Sequence, residues 1–345
     1  MAFKISEEEL MEKLTLALQK AESEGKTALI GIYGGNEEIS NQLSQTVFDE
    51  SYRDNCFFLQ TEDDLKTADY DVLWTFEDTA SLKAPCYLVN ELSSDEVLSV
   101  IDWTFENLHS SKQKSFVKHQ KLDIDLKERY ANKIIKQHCA GAFGVGFVPI
   151  PFADAPLLVA NEISLMGRIL DVYGLADVKQ VVETIGISAL IGNLLTMVGK
   201  GLVGRLLKLI PGVGSVVGGI INATTATSVT LAFGKSVSKV VKKLCKAAIE
   251  KNLAEFDFIA KNFSSAVAGT AVACIESGMA SAEDYEKSFD STELTIADFE
   301  KNIQKGNELF QKFLDKNTEL DDAFNEQQNI GEKKSNDMWD AISRL

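Results

Sequence analysis

The chain has 345 residues, 35 of them Lys or Arg and 51 Asp or Glu, for a formal net charge of −16. Hydrophobic residues at 45% and charged residues at 25% exclude a disordered composition, and the length suits two or three domains. The charge is uneven, net −14 over residues 1–125, +8 over 126–251 and −10 over 252–345. Acidic ends argue against nucleic-acid binding, which needs cationic surface against phosphate. The basic, apolar centre suits an anionic lipid surface, and it equally suits complementation by the acidic flanks in a folded or assembled state.

Five prolines and long periodic segments predict mostly helix. A first helix is expected over 6–24, with Ser6 and Glu9 as a capping box. Thr27–Tyr33 reads as a short buried strand ending in Gly34-Gly35, followed by a helix over 36–48. Cys56–Leu59, Tyr70–Phe76 and Cys86–Asn90 read as three more strands, and 94–108 as a helix capped by Ser93 or Ser94. Short apolar strands alternating with helices predict a small parallel α/β sheet over residues 1–110. Beyond it a mostly α-helical domain is expected over 111–252. A charged helix over 112–137 leads to the uncharged run 139–153. There Pro149 and Pro151 stop a helix, and Asp154 caps the next, with Pro156 in its first turn and Gly174 at its end. Glycine-dotted helices are expected over 177–209 and 213–252, broken at Pro211-Gly212. Acidic amphipathic helices over 253–327, with a loop near 288–295, and a flexible tail over 328–345 complete the chain.

Leu209 to Gly234 are 26 uncharged residues, long enough to span a bilayer. Gly214 and Gly218, four apart, would let two helix backbones approach closely. Asn222 and five Ser/Thr hydroxyls between 224 and 230 would need partners in lipid. Lys235, Lys239, Lys242, Lys243 and Lys246 follow, as cations beside an apolar stripe at a membrane surface or as an ordinary solvated face. A membrane-contacting hairpin and a soluble bundle seamed by glycine both satisfy this pattern.

Phe147–Glu162, then Tyr173-Gly174, then Leu209–Gly219 resemble a helical domain of unknown function. That domain follows the G domain in a family of bacterial Era-like GTPases and also occurs in bacterial inner-membrane proteins. The resemblance covers about residues 115–250 and implies association with membranes or partner proteins. It also implies a test of residues 1–110. A G domain needs G-x-x-x-x-G-K-[ST] after its first strand to cradle phosphate and magnesium. Counting from Gly31, Asn36 stands at the second glycine, Glu37 at the lysine and Glu38 at the hydroxyl. The strand that would carry N-K-x-D ends in Asn90, with Glu91 and Ser93 at the lysine and aspartate positions. Residues 1–110 therefore read as a degenerate, reduced G-domain-like fold that does not hydrolyse GTP, or as an unrelated small α/β domain.

Other chemistry is sparse. Cys56, Cys86, Cys139, Cys245 and Cys274 lack CxxC spacing and read as buried free thiols. His109, His119 and His138 lack metal-ligand partners at helical spacing. Glu162, among apolar neighbours, is expected to pair with a cation such as Lys200 or Arg205. No catalytic residue, metal or cofactor is predicted. The expectation is a non-enzymatic chain, cytoplasmic or on the cytoplasmic face of the inner membrane, without a signal peptide. Its expected partner is a membrane surface, a helical protein or a second copy through glycine seams. The alternatives are a divergent GTP-binding protein or GTPase, and a soluble helical scaffold.

Overall fold

The computed structural model describes residues 7–79, 84–145, 155–175, 219–276 and 294–314. The chain divides into two compact units. One comprises Glu22–Tyr130 with Val172–Gly174, and the other Met1–Ala21, Ala131–Asp171 and Leu175–Ser343. A small parallel α/β sheet is thus followed by mostly helical structure, as the sequence predicts. These contact units do not divide the chain at 110 or 252, and the boundary expected at 327 lies outside the described residues. The first helix clusters with the helical unit, residues 111–130 stay with the sheet, and the acidic helices beyond 252 share the unit of those before it. Packing contacts set these limits, and composition does not reveal them.

In the α/β unit the order is β1 (Ile30–Tyr33), α2 (Glu37–Val47), a 3₁₀ turn (Glu50–Asn55), β2 (Cys56–Leu59), α3 (Glu62–Thr67), β3 (Val72–Thr75), β4 (Cys86–Leu88), α4 (Ser94–Asn107) and α5 (Ser110–His119). All four strands are parallel in the order β2-β1-β3-β4, the start of an order common among doubly wound sheets. Strand side chains alternate between faces. On the Trp74 face, Phe48 stacks on Trp74 with centroids 5.8 Å apart and meets Phe116 edge-on at 5.7 Å. The Trp74 indole donates to Thr104 Oγ1 of α4 at 2.8 Å, and that hydroxyl donates to the Val100 carbonyl. The opposite face packs Leu59, Leu65, Tyr70 and Leu73. Ahead of β1, residues 27–29 are bound without forming strand. The Leu29 amide donates to Asp71 Oδ2, and Tyr52 donates to the Ala28 carbonyl. Asp71 also pairs with Lys112 at 2.6 Å.

The helical unit is built from α1 (Glu7–Ser23), α6 (Ile124–Val145), α7 (Ala155–Val172), α8 (Gly219–Ile249), α9 (Leu253–Lys261), α10 (Phe263–Glu276) and α11 (Ile296–Leu314); α1, α6 and α7 each cross a unit boundary. Gly174, at φ +80°, stops α7 as predicted, with the Leu175 amide donating to the Leu170 carbonyl. Small residues set the packing. A Cβ on Gly269 would lie 1.7 Å from the Asn302 carbonyl oxygen, and one on Gly306 would lie 2.1 Å from that of Ser265. Numbering rises along α10 as it falls along α11, so the pair is antiparallel. Asn302 donates to Thr270 Oγ1 and Ser265 to Asn307 Oδ1 across the same seam. Gly234 of α8 meets Ile135 and Leu165, and Gly167 of α7 meets the backbone of Ala17.

Candidate functional site

In a doubly wound sheet, ligands bind beyond the carboxyl ends of the strands, where the winding reverses. Here that place lies between β1 and β3, because α2 leads to β2 on one side of β1 and α3 leads back to β3 on the other. The turn after β1 is Gly34, Gly35 and Asn36. Gly34 and Gly35 both adopt left-handed φ, +76° and +66°, which glycine reaches without a Cβ penalty. Asn36 caps α2, its Oδ1 accepting from the Ile39 amide at 2.9 Å. Glu37 and Glu38 occupy the first turn of α2 and are exposed, where they favour the helix dipole. Glu77, just past β3, lies against Gly34, with its Cγ 2.9 Å from the position of a glycine Cβ. Its amide bonds Thr75 Oγ1 at 3.1 Å, and that hydroxyl donates to the Glu77 carbonyl.

The geometry changes how the predicted phosphate-site residues are read. Gly31 is not the first glycine of a loop. It lies inside β1, where a Cβ would come within 2.9 Å of the Leu73 side chain, so its role is packing. Only three residues separate β1 from α2, whereas G-x-x-x-x-G-K-[ST] needs a longer turn to wrap phosphate with successive amides. Asn36 and Glu37 fall at the helix start, and Glu77 adds a carboxylate over the turn. Glu37, Glu38 and Glu77 are all exposed, and a phosphate charge about 4 Å from one such carboxylate is opposed by about 1 kcal/mol in water. Asn90, past β4, is held by Glu96 Oε1, which accepts from its amide and from its Nδ2. The sequence reading missed Glu77; an acidic residue directly after the strand beside β1 was the available signal.

A Ser-His-Asp trio forms in space without forming a triad. Ser51 Oγ donates to Asp49 Oδ1 at 2.6 Å, while Ser51 Oγ and Asp49 Oδ2 both approach the same His119 nitrogen, Nδ1, at 3.3 and 2.8 Å. A hydrolytic triad places hydroxyl and carboxylate on opposite ring nitrogens. Asp49 instead caps the 3₁₀ turn and ties it to the end of α5. Burial raises the Asp49 pKa, but the hydrogen bonds from His119 and Ser51 outweigh it and leave the carboxyl below its ordinary range. His109 caps α5.

In the helical unit, polar side chains gather between α6, α7 and α8. Glu162 is buried, and its Oε1 accepts from the Thr230 hydroxyl of α8. Lys200 and Arg205, its expected partners, lie outside the described residues. Arg168 instead contacts His138 Nε2 at 3.3 Å, while His138 Nδ1 meets Asn161 Oδ1 at 2.9 Å. Cys139, beside Glu162, donates to the Thr227 carbonyl, and burial pushes its thiol up to about 12. All five cysteines are free; Cys139, Cys245 and Cys274 are buried, while Cys56 and Cys86 are half-buried.

Of the five lysines read as a membrane-facing row, Lys235 and Lys239 are buried and Lys242, Lys243 and Lys246 half-buried. Lys243 pairs with Glu255 at 2.7 Å. The described end of the uncharged segment, Thr230 to Gly234, is buried, and its Gly234 packs on protein. Pro149, Pro151, Asp154, Pro211, Gly212, Gly214 and Gly218 lie outside the described residues; Pro156 is the second residue of α7. Among the described residues no helix is long and apolar enough to cross a membrane, and no cluster of three metal-ligating side chains occurs. Comparison with protein-family models, with curated proteins and with solved structures found no match.

Proposed function

We propose that this chain is a non-catalytic association protein. Its glycine-rich helical domain docks on a membrane surface or a helical partner. Its α/β domain is a reduced, G-domain-like head that binds no nucleotide. The resemblance of residues 115–250 to the helical domain that follows the G domain of Era-like GTPases belongs to this reading. Its strongest support is Glu77 lying against Gly34 over a three-residue turn, with Glu37 and Glu38 beside it. Such a turn offers few amides to phosphate and opposes its charge.

Titration calorimetry of the full chain with GTP and magnesium tests the head, and the expected result is no binding heat. Micromolar affinity with magnesium-dependent turnover supports the divergent-GTPase alternative and overturns the reading. Flotation with vesicles containing anionic lipid tests the helical domain, and recovery with the vesicles is expected. A specific observation favours a second reading, a helical scaffold: Gly234 packs against Ile135 and Leu165, so this end of the apolar segment is covered by protein. Full recovery in the unbound fraction, with anionic and neutral vesicles alike, selects the scaffold.

A further inference from the structure

Glu162 stands out among the buried groups. It comes from α7 into a core formed with α6 and α8 and is 4% exposed. Thr230 of α8 donates to Oε1, and among the described residues no hydrogen bond reaches Oε2, although the neighbouring Asn161 side chain also favours the ionised carboxyl. The charged and titratable groups gathered there are few among the described residues: His138 and Cys139 on α6, Arg168 on α7, and Lys235 on α8. Arg168 is directed at His138. The Asn161 oxygen accepts the proton of His138 Nδ1, and a guanidinium only donates, so Nε2 is an acceptor and the imidazole carries no charge to offset a carboxylate. An ionised carboxyl buried with only the Thr230 hydroxyl and the Asn161 side chain to favour it is costly, whereas its protonated form packs as a neutral group.

We propose that Glu162 is a proton-binding latch. Protonated, it lets α6, α7 and α8 close on one another; ionised, it drives α7 and α8 apart to admit water. Burial raises its pKa to about 8, against the lowering effects of the Thr230 hydroxyl and the Asn161 side chain, so the latch titrates near neutrality. The folded form holds the proton more tightly than the unfolded chain. The stability this group contributes is therefore full below the ordinary carboxyl value of 4.5, and it is lost as pH rises through about 8. The proposal is independent of the membrane reading, since the latch works inside the helical unit whatever that unit docks on.

The test uses the full chain. Thermal unfolding is followed from mildly acidic to mildly alkaline pH, with amide exchange of α7 and α8 measured at both extremes. The wild type should melt several degrees lower at alkaline pH and exchange faster in α7 and α8. E162Q, which mimics the neutral acid, should lose both dependences and behave at every pH as the wild type does in acid. T230V removes the hydroxyl that favours the ionised form and should move the transition to higher pH. A protonated-carboxyl infrared band present at pH 6 and missing in E162Q reads the proton directly, without relying on a variant's stability. Parallel pH profiles for wild type and E162Q, or no such band at pH 6, overturn the latch.

Discussion

The two units fill their interiors by opposite means. In the α/β unit large rings occupy the space between sheet and helices, with Phe48, Tyr52, Trp74 and Phe116 all in contact through ring pairs or their neighbours. In the helical unit two backbones themselves come together, and Gly269 and Gly306 mark where a methyl group would not fit, while Gly234 makes room for the Ile135 and Leu165 side chains. A core of rings can lose atoms and leave a cavity. A core of touching backbones cannot gain one without moving a helix. The units should therefore fail in opposite directions, the first when side chains shrink and the second when they grow.

The largest effect is expected at the α10–α11 seam. In Gly269→Ala the new methyl meets the Asn302 backbone, which has no rotamer to yield. The cost should be about 3 kcal/mol or more, as overpacking at backbone is worse than at a flexible side chain. Urea unfolding measures it. Gly141→Ala sharpens the contrast, because a Cβ there meets only Asn161 Oδ1, at 3.8 Å, on an exposed stretch of α6. That change should leave stability unaltered or raise it by up to ~1 kcal/mol through helix propensity. Equal losses at both positions would show that glycine matters here for flexibility and not for close approach.

Shrinking a ring is the matching test in the α/β unit. Trp74→Phe removes ring volume from a fully buried site and also the indole donor to Thr104. Thr104 keeps its own bond to the Val100 carbonyl, so no new polar group is stranded. The expected loss is about 2–3 kcal/mol, read from the same unfolding curves. A loss below about 1 kcal/mol would mean the ring stack does not carry this core.

This contrast also explains what the sequence disclosed. The four strands were legible because each is a short apolar run between turn residues, and Ser93 and Gly174 announce a helix start and stop by local chemistry. Asn36 was placed at a phosphate-loop position, yet its amide side chain obeys the simpler rule of an N-cap. Gly31 misled because a glycine that opens a loop and one that makes room for Leu73 look alike in sequence; only the register of β1 against β3 separates them. The seam that the sequence placed at Gly214 and Gly218 lies outside the described residues. The seam observed at Gly269 and Gly306 joins residues 33 and 41 positions apart, Gly269 to Asn302 and Ser265 to Gly306, and no local pattern pairs them. Glu162 stands out in the sequence as a polar residue in apolar company, but its partner Thr230 lies 68 residues away.

The smallest effect distinguishes the units by pH. Asp49 caps the 3₁₀ turn and accepts from Ser51 and His119, and its carboxyl lies below the ordinary value of 3.8 because those bonds outweigh burial. A depressed folded pKa gives stability that is present above 3.8 and is lost as pH falls through the folded value. The α/β unit should thus weaken toward acid, while Glu162 makes the helical unit weaken toward alkali. Asp49→Asn keeps a capping oxygen but cannot ionise, so it should cost about 1 kcal/mol at neutral pH and less in acid. Amide exchange resolved by segment checks this: protection in β1 and α5 should converge between D49N and wild type as pH drops, while α7 and α8 stay unaffected by the substitution. If D49N weakens the α/β unit equally at every pH, the carboxylate charge contributes nothing, and Asp49 acts only as a cap that asparagine replaces poorly.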